Sequence, residues 1–166
     1  VSHAWLAGET RPPAEGLTRP LPDKPGAYTW CKAPRYAGQV IETGALARQM
    51  VAGQPLVRDL VARHGGSVMA RVVARLLELA ILLPAMEDWA RRLRPGAPWC
   101  VPLKLPDVGR AHGLTEAARG ALGHWLAVRD GRIAAYQIIA PTTWNFSPRD
   151  AAGVPGALEQ ALVGLP

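Results

Sequence analysis

The sequence is short of cysteine, phenylalanine and acidic residues, and it has no long apolar run. Its two cysteines, Cys31 and Cys100, stand 69 positions apart and form no C-x-x-C pair. Two thiols cannot staple a fold of this size, and without histidine they cannot close a tetrahedral zinc site. Each is expected to be a free, buried thiol, which points to a reducing compartment and a cytoplasmic protein. No apolar stretch reaches about 18 residues, so no segment is expected to span a membrane. The N-terminus lacks the basic and apolar regions of a signal peptide. Acids number 13 against 19 basic residues, for a net charge of +6. Such an excess favours nucleic acid or membrane surfaces when it is clustered. Here the only tight group is Arg91, Arg92 and Arg94, and no run of five or six like charges occurs. A nucleic-acid partner is therefore not expected.

Familiar catalytic signatures are missing too. His3, His64, His112 and His124 are scattered, with no second ligand at metal-binding spacing. There is no G-x-S-x-G nucleophile elbow and no G-x-G-x-x-G or Walker loop. The carboxylates in "EDWARRL" lie beside arginines, as on a solvated helix face.

What is present is 49% apolar composition over 166 residues, enough for one core, with 17 glycines and 16 prolines that imply much loop. The chain begins on Val1 and ends on "EQALVGLP", and it is expected to be a piece of something larger. Residues 1–27 hold five prolines and three glycines and form a Pro/Gly-rich arm. Residues 28–166 read as a single, incomplete domain. Tyr28, Trp30, Val40 and Ile41 suit short extended segments, with a turn at "KAPRYAG". From Gly44 the spacing of Leu46, Met50, Leu56 and Leu60 predicts two helices, broken by Gly53 and Pro55. Asp59 and Arg63 form an i,i+4 pair. Ser67 is placed to cap a longer helix. Its apolar stripe is Met69, Val72, Val73, Leu76, Leu77, Ala80 and Leu83, with Arg71, Arg75 and Glu78 on the other face. Pro84 is expected to start a further helical stretch. Asp130-Gly131 between two β-like runs predicts a hairpin around 123–140. "PTTWNFSPRDAAG" reads as a loop and "VPGALEQALVG" as a short closing helix. The class is α+β, mainly helical, with one hairpin and long ordered loops.

Two stretches remain that composition does not explain. In "TEAARGALGHW", Arg119 stands among Ala117, Ala118, Gly120 and Ala121. Small neighbours let a bulky group approach the backbone, and the guanidinium keeps its charge at any ordinary pH. In "APTTWNFSPRD", hydroxyls and an amide crowd the end of a strand, either to cap turns or to meet a ligand. The two stretches flank the hairpin. Its ends meet in space, so Arg119 and Thr142 can line one site.

"KAPRYAG…ETGALAR", "EAARGALGHW", "YQIIAPTTWNFSPRD" and "GALEQALVG", in this order, resemble the large subunit of nickel-iron hydrogenases. The resemblance runs from about Tyr28 to Leu165. Ala118 stands where most of the family has proline, and "ETGALARQ" replaces the commoner "EVGPLAR". Both are more similar to the hydrogen-sensing, regulatory branch. The resemblance implies a part of a larger large-subunit fold, whose nickel-iron centre carries cyanide and carbon monoxide on iron and is held by two C-x-x-C motifs. It implies an iron-sulfur small subunit as partner. It places Arg119 over the centre as the catalytic arginine, for heterolytic cleavage of dihydrogen. It places Thr142 as hydrogen-bond donor to a cyanide, with the backbone at Ala118 and Pro141 lining the same pocket. Neither C-x-x-C motif is present, and Cys31 and Cys100 match no ligand position, so no metal ligand and no bound cofactor are expected within these residues alone. The isolated chain is expected to be inactive, to expose apolar surface and to self-associate. A non-catalytic maturation scaffold, handling the iron-cyanide-carbonyl fragment, is the other reading.

Overall fold

The computed structural model describes Ala4, Leu6–Ala7, residues 11–15 and residues 18–165. His3 and parts of the Pro/Gly-rich arm lie outside the described residues. The chain divides into two compact units, Ala45–Leu105 and the remainder.

The unit Ala45–Leu105 is helical. Helix α1 spans Ala45–Val51, α2 spans Pro55–His64 and α3 spans Val68–Arg92. Gly53, at φ 77°, and Pro55 separate the first two, as their backbone chemistry requires. Proline at the start of α2 loses no helical bond, because that N–H would have no partner anyway. Ser67 caps α3 by accepting from the Ala70 N–H at 3.3 Å. The predicted Asp59–Arg63 pair is formed at 2.9 Å. Ala45, Leu46, Val57, Ala70 and Ala74 make the buried core. Alanines let the helix axes approach, and a polar tie closes the contact. Arg48 grips Glu78 through two bonds of 2.7 Å, and Gln49 adds a third at 3.2 Å. The bond from Arg48 is the main reason the Glu78 carboxyl lies below its ordinary pKa.

Two expectations for α3 are corrected. The fully buried positions are Ala70 and Ala74, with Leu77 of the expected stripe packed against them and Glu78 beyond, whereas Met69, Val72, Leu76 and Leu83 are at least half exposed. The helix is apolar on more than one face, and α1 and α2 cover the face centred on the two alanines. Pro84 does not start a new helix; α3 runs through it. Proline removes one backbone bond and crowds the preceding turn, but good helix formers on both sides carry the helix on. Of the two thiols expected to be buried, Cys100 is exposed and Cys31 is half-buried.

The other unit is built on a three-stranded antiparallel meander: β3 (Gly109–Ala117), β4 (Gly120–Arg129) and β5 (Arg132–Ile139). Two short strands, β1 (Leu6–Ala7) and β2 (Arg19–Pro20), pair separately. The predicted Asp130-Gly131 turn is present, with φ of 53° and 68°, and joins β4 to β5. The hairpin is longer than 123–140, and β3 is an unforeseen third strand. Its sequence, "GRAHGLTEA", lacks apolar alternation, and almost all of it is exposed. Backbone pairing to β4 forms it, rather than burial. Of the extended segments expected at 28–41, the described residues show isolated bridges alone, at Thr29 and at Tyr36–Gln39. "KAPRYAG" does turn, at Tyr36–Gln39, using Ala37 and Gly38 with positive φ.

"PTTWN" is not loop: Pro141–Asn145 is a short helix, α4. Ala140 is extended, and Pro141 takes the first helical position, where its fixed φ suits the helix. The closing helix α5, Ala157–Leu162, forms as expected, with the Gly156 N–H donating to Glu159 at 2.9 Å.

A clamp holds the loop between them. Arg35 donates to Asp150 at 3.0 Å, to Ser147 Oγ at 3.3 Å and to the carbonyls of Pro148 and Val154. Asp150 also accepts from the N–H groups of Ala152 and Val154. Desolvation alone would raise the Asp150 pKa. Donation from the Val154 N–H and from Arg35 outweighs it, and the carboxyl lies below its ordinary 3.8. Gly156 is pressed against the Ser147 carbonyl, where an added Cβ would stand 1.7 Å from the oxygen.

Two outcomes follow. Gly156→Ala is expected to destabilise the chain by about 2 kcal/mol, the usual scale of overpacking, measurable by urea unfolding. The Asp150 contribution is complete above the unfolded-state pKa and is lost as pH falls through the lower folded-state value. Asp150→Asn should therefore lower the melting temperature at pH 7, and the gap to the parent should narrow below about pH 4.

Candidate functional site

Antiparallel pairing decides which residues share an end of the sheet. Ala117 pairs with Gly120, leaving Ala118 and Arg119 as a two-residue turn between β3 and β4. Gly123 pairs with Ile139, the last residue of β5, and α4 begins two positions later. The Ala118-Arg119 turn and the Pro141-Thr142 start of α4 therefore lie at one end, and α4 packs on β4. The sequence pattern placed Arg119 and Thr142 together through the ends of a single hairpin, and the resemblance added Ala118 and Pro141. The structure does so through a turn at one hairpin and the exit from the next.

Arg119 and Ala118 are exposed, Pro141 is buried and Thr142 is exposed. No hydrogen bond or ion pair holds the Arg119 guanidinium among the described residues. The turn itself is unusual, since neither Ala118 nor Arg119 has a positive φ; the conformational demand falls on Gly120, at φ 133°. Gly120 is buried, and any Cβ on it would stand 2.4 Å from Thr43 Oγ1.

Thr43 was not among the candidate residues, and it belongs to this end. It is 8% exposed, and its Oγ1 is buried with no hydrogen-bond partner among the described residues. Its backbone is taken at both polar groups by one side chain. Asn145 Oδ1 accepts from the Thr43 N–H at 2.9 Å, and Asn145 Nδ2 donates to the Thr43 carbonyl at 2.9 Å. Gly44, at φ 141°, faces the Arg119 carbonyl; a Cβ there would be 3.4 Å from that oxygen. The signals available in sequence were the amide in "PTTWN" and the glycine after Arg119, but neither states its partner.

The Cys31-Lys32 segment borders α4 and β5. The Cys31 thiol donates to the carbonyls of Thr142 and Thr143 at 3.9 and 3.8 Å, and burial pushes its pKa up. Lys32 donates to Gln137 at 2.8 Å and to the Ile138 carbonyl at 3.1 Å, and burial lowers its pKa. Lys32 thus occupies acceptors along the exposed edge of β5.

Chemically, this end offers a fixed positive charge, one exposed hydroxyl and closely packed backbone. Among the described residues no three of His, Cys, Asp and Glu are grouped to hold a metal ion. A hollow of about 240 Å³ lies elsewhere on the sheet, against Val108, Arg110, Val128 and Ala134, and carries no carboxylate, histidine or thiol. No helix among the described residues is long and apolar enough to cross a membrane.

The family described as nickel-dependent hydrogenase matches residues 1–166. The periplasmic [NiFeSe] hydrogenase large subunit of Desulfomicrobium baculatum is 40% identical over 91% of this chain and 33% of its own length. The hydrogenase-1 large chain of Escherichia coli K12 is 34% identical over 98% of this chain and 34% of its own. The chain thus spans about a third of the length of the curated relatives it matches. Among solved structures, the Ni-Fe-Se hydrogenase of D. vulgaris Hildenborough in the reduced state superposes with a TM-score of 0.91 at 39% identity. It covers all of this chain and 39% of that one. A Dm. baculatum [NiFeSe]-hydrogenase structure gives a TM-score of 0.87 at 38% identity, over all of this chain and 38% of that one. The mixed helix and sheet arrangement is thus that of a portion of the hydrogenase large-subunit fold. Sequence and backbone agree along the full length, as common descent requires, and the chain belongs to the nickel-dependent hydrogenase family, homologous to part of its large subunit.

Proposed function

We propose that the sheet end bearing Ala118, Arg119, Pro141 and Thr142 is one wall of the active site of a hydrogen-cleaving nickel-iron hydrogenase. The observation that supports it is the state of Arg119. An exposed guanidinium with no partner among the described residues stands on a turn whose backbone is braced from behind by Thr43 and Gly44. A surface arginine needs no such bracing, whereas a preorganised donor does.

The residues fit the outside of a nickel-iron centre, not its ligand shell. With no cluster of ligating side chains among the described residues, the thiolates that hold nickel belong to other parts of the parent subunit. When bound, the centre supplies the place where dihydrogen is split and its electrons are taken up. Arg119 would offer five N–H donors and a positive charge to the anionic ligands of such a centre. Thr142 contributes a hydroxyl to a cyanide. Ala118 has only a methyl group and Pro141 has no N–H, so neither side chain competes for the anionic groups. Electrons leave through an iron-sulfur small subunit.

A hydrogen-sensing role, expected from Ala118 and "ETGALARQ", is not carried forward, because the relatives named above are described as a periplasmic hydrogenase subunit and a hydrogenase large chain. The cytoplasmic expectation rested on cysteine content alone and is likewise not carried forward. The exposed apolar residues of α3, from Met69 to Trp89, are surface that other parts of the parent assembly cover. Left uncovered, they drive self-association of the isolated chain.

The test uses the full-length, metal-loaded enzyme. Arg119→Lys is expected to reduce hydrogen oxidation by roughly 10²–10³-fold, the scale of losing one preorganised donor, with nickel content unchanged by elemental analysis. Thr142→Val is expected to shift the cyanide stretching bands in the infrared spectrum. Full activity in Arg119→Lys would remove this arginine from the chemistry, and loss of nickel would assign the turn to metal assembly instead.

A further inference from the structure

We infer that Asn145 is a positioning residue for Arg119, acting through Thr43 and Gly44; the inference rests on the active-site reading of Arg119 given above. Asn145 makes both of its bonds to one residue, accepting from the Thr43 N–H and donating to the Thr43 carbonyl, each at 2.9 Å. Two bonds to the N–H and C=O of one residue fix the orientation of its backbone as well as its place, as a strand partner would. The fixed residue then bears on the turn. Thr43 Oγ1 and Cβ lie 2.4 and 2.8 Å from where a Cβ on Gly120 would stand, and the Gly44 N–H nitrogen lies at 2.8 Å. On the other side, the bare Cα of Gly44 faces the Arg119 carbonyl. Backbone therefore meets backbone, with a glycine from each segment at the crossing.

The Thr43 hydroxyl bonds nothing among the described residues, so its side chain acts on the turn by shape alone. Directional control has to come from the Asn145 amide. The turn needs it, because its two central residues lack the left-handed geometry that makes a tight hairpin self-defining. The exposed Arg119 side chain has no hydrogen-bond or ion-pair partner among the described residues, so its aim follows its backbone. Thr142 is three residues before Asn145 in α4. One short helix thus carries one donor directly and sets the place of the other through Thr43. Asn145 touches no reacting group in this account.

The experiment compares Asn145→Leu, Asn145→Asp, Arg119→Lys and Ser67→Ala in the full-length loaded enzyme. Asn145→Leu removes both bonds at similar volume. It is expected to lower kcat about 100-fold, the scale of a displacement near 1 Å in a positioned group. KM for hydrogen and nickel content should be unchanged, and the cyanide infrared bands should shift. Asn145→Asp keeps the acceptor for the Thr43 N–H and loses the donor to the carbonyl, so its kcat should fall between parent and Asn145→Leu; it also serves if Asn145→Leu does not assemble. Ser67→Ala removes a cap in the helical unit, at a comparable cost in stability, and should leave both kcat and bands at parent values. If the Asn145 variants melt lower but keep either kcat or the parent bands while Arg119→Lys is inactive, Asn145 is structural only and the inference fails. If Arg119→Lys is itself fully active, it is the active-site reading that fails.

Discussion

Antiparallel register along β4 is the constraint on which the candidate site depends. β4 is the middle strand, so it alone relates the turn before it to the exit of the strand after it. Pairing of Ala117 with Gly120 closes the turn at Arg119, and pairing of Gly123 with Ile139 delivers α4 to the same end. A slip of one residue would send each side chain to the opposite face. The ladder is protected against this at its other end by the left-handed Asp130-Gly131 pair and by a bulge between Ala127 and Val128. Burial adds little to the register here, since β3 is almost wholly exposed.

Given that register, the site is shaped by the absence of side chains as much as by their presence. Gly120, with Gly44 at positive φ beside it, lets two stretches of backbone cross where a methyl group would not fit. Gly156 does the same beneath the loop that follows α4, against the Ser147 carbonyl. Around these close approaches the polar groups are satisfied by a few convergent side chains: Asn145 on Thr43, and Arg35 on Asp150, Ser147, Pro148 and Val154. Satisfying buried backbone in this way removes a penalty rather than adding much net attraction, so the gain is a defined geometry. The buried Thr43 hydroxyl is the exception, and it sits at the crossing itself.

The helical unit shows a different balance. Its core is small and alanine-rich, and the Arg48–Glu78 contact fastens it. Leu77 packs on that core, but most of the larger apolar side chains of α3 are exposed. Such a helix rests on its Ser67 cap, its unbroken run of helix formers around Pro84 and the packing of one face on α1 and α2. Its uncovered residues are of the kind that interfaces use.

Local chemistry was legible in the sequence. Gly53 and Pro55, the Ser67 cap, the Asp130-Gly131 turn and the closing helix each depend on residues within a few positions of one another, and each was found where expected. Arg119 and Thr142 were legible as candidates because small or polar residues surround them without a packing reason. The rest was decided by tertiary structure. Thr43 and Asn145 are 102 positions apart, and no local pattern announces their pairing. β3 has no apolar alternation because its partner's backbone, not a core, makes it a strand. The turn at Ala118-Arg119 carries no hairpin signal because the strain is taken by the glycine after it. The buried face of α3 could not be chosen from a helix apolar on several sides, since only the helices packed on it decide which face is covered. The sequence by itself determined several of the turns and caps and offered Arg119 and Thr142 as candidates, because those depend on near neighbours. Which of those residues meet was left to long-range backbone pairing, whose partners lie far away in the chain.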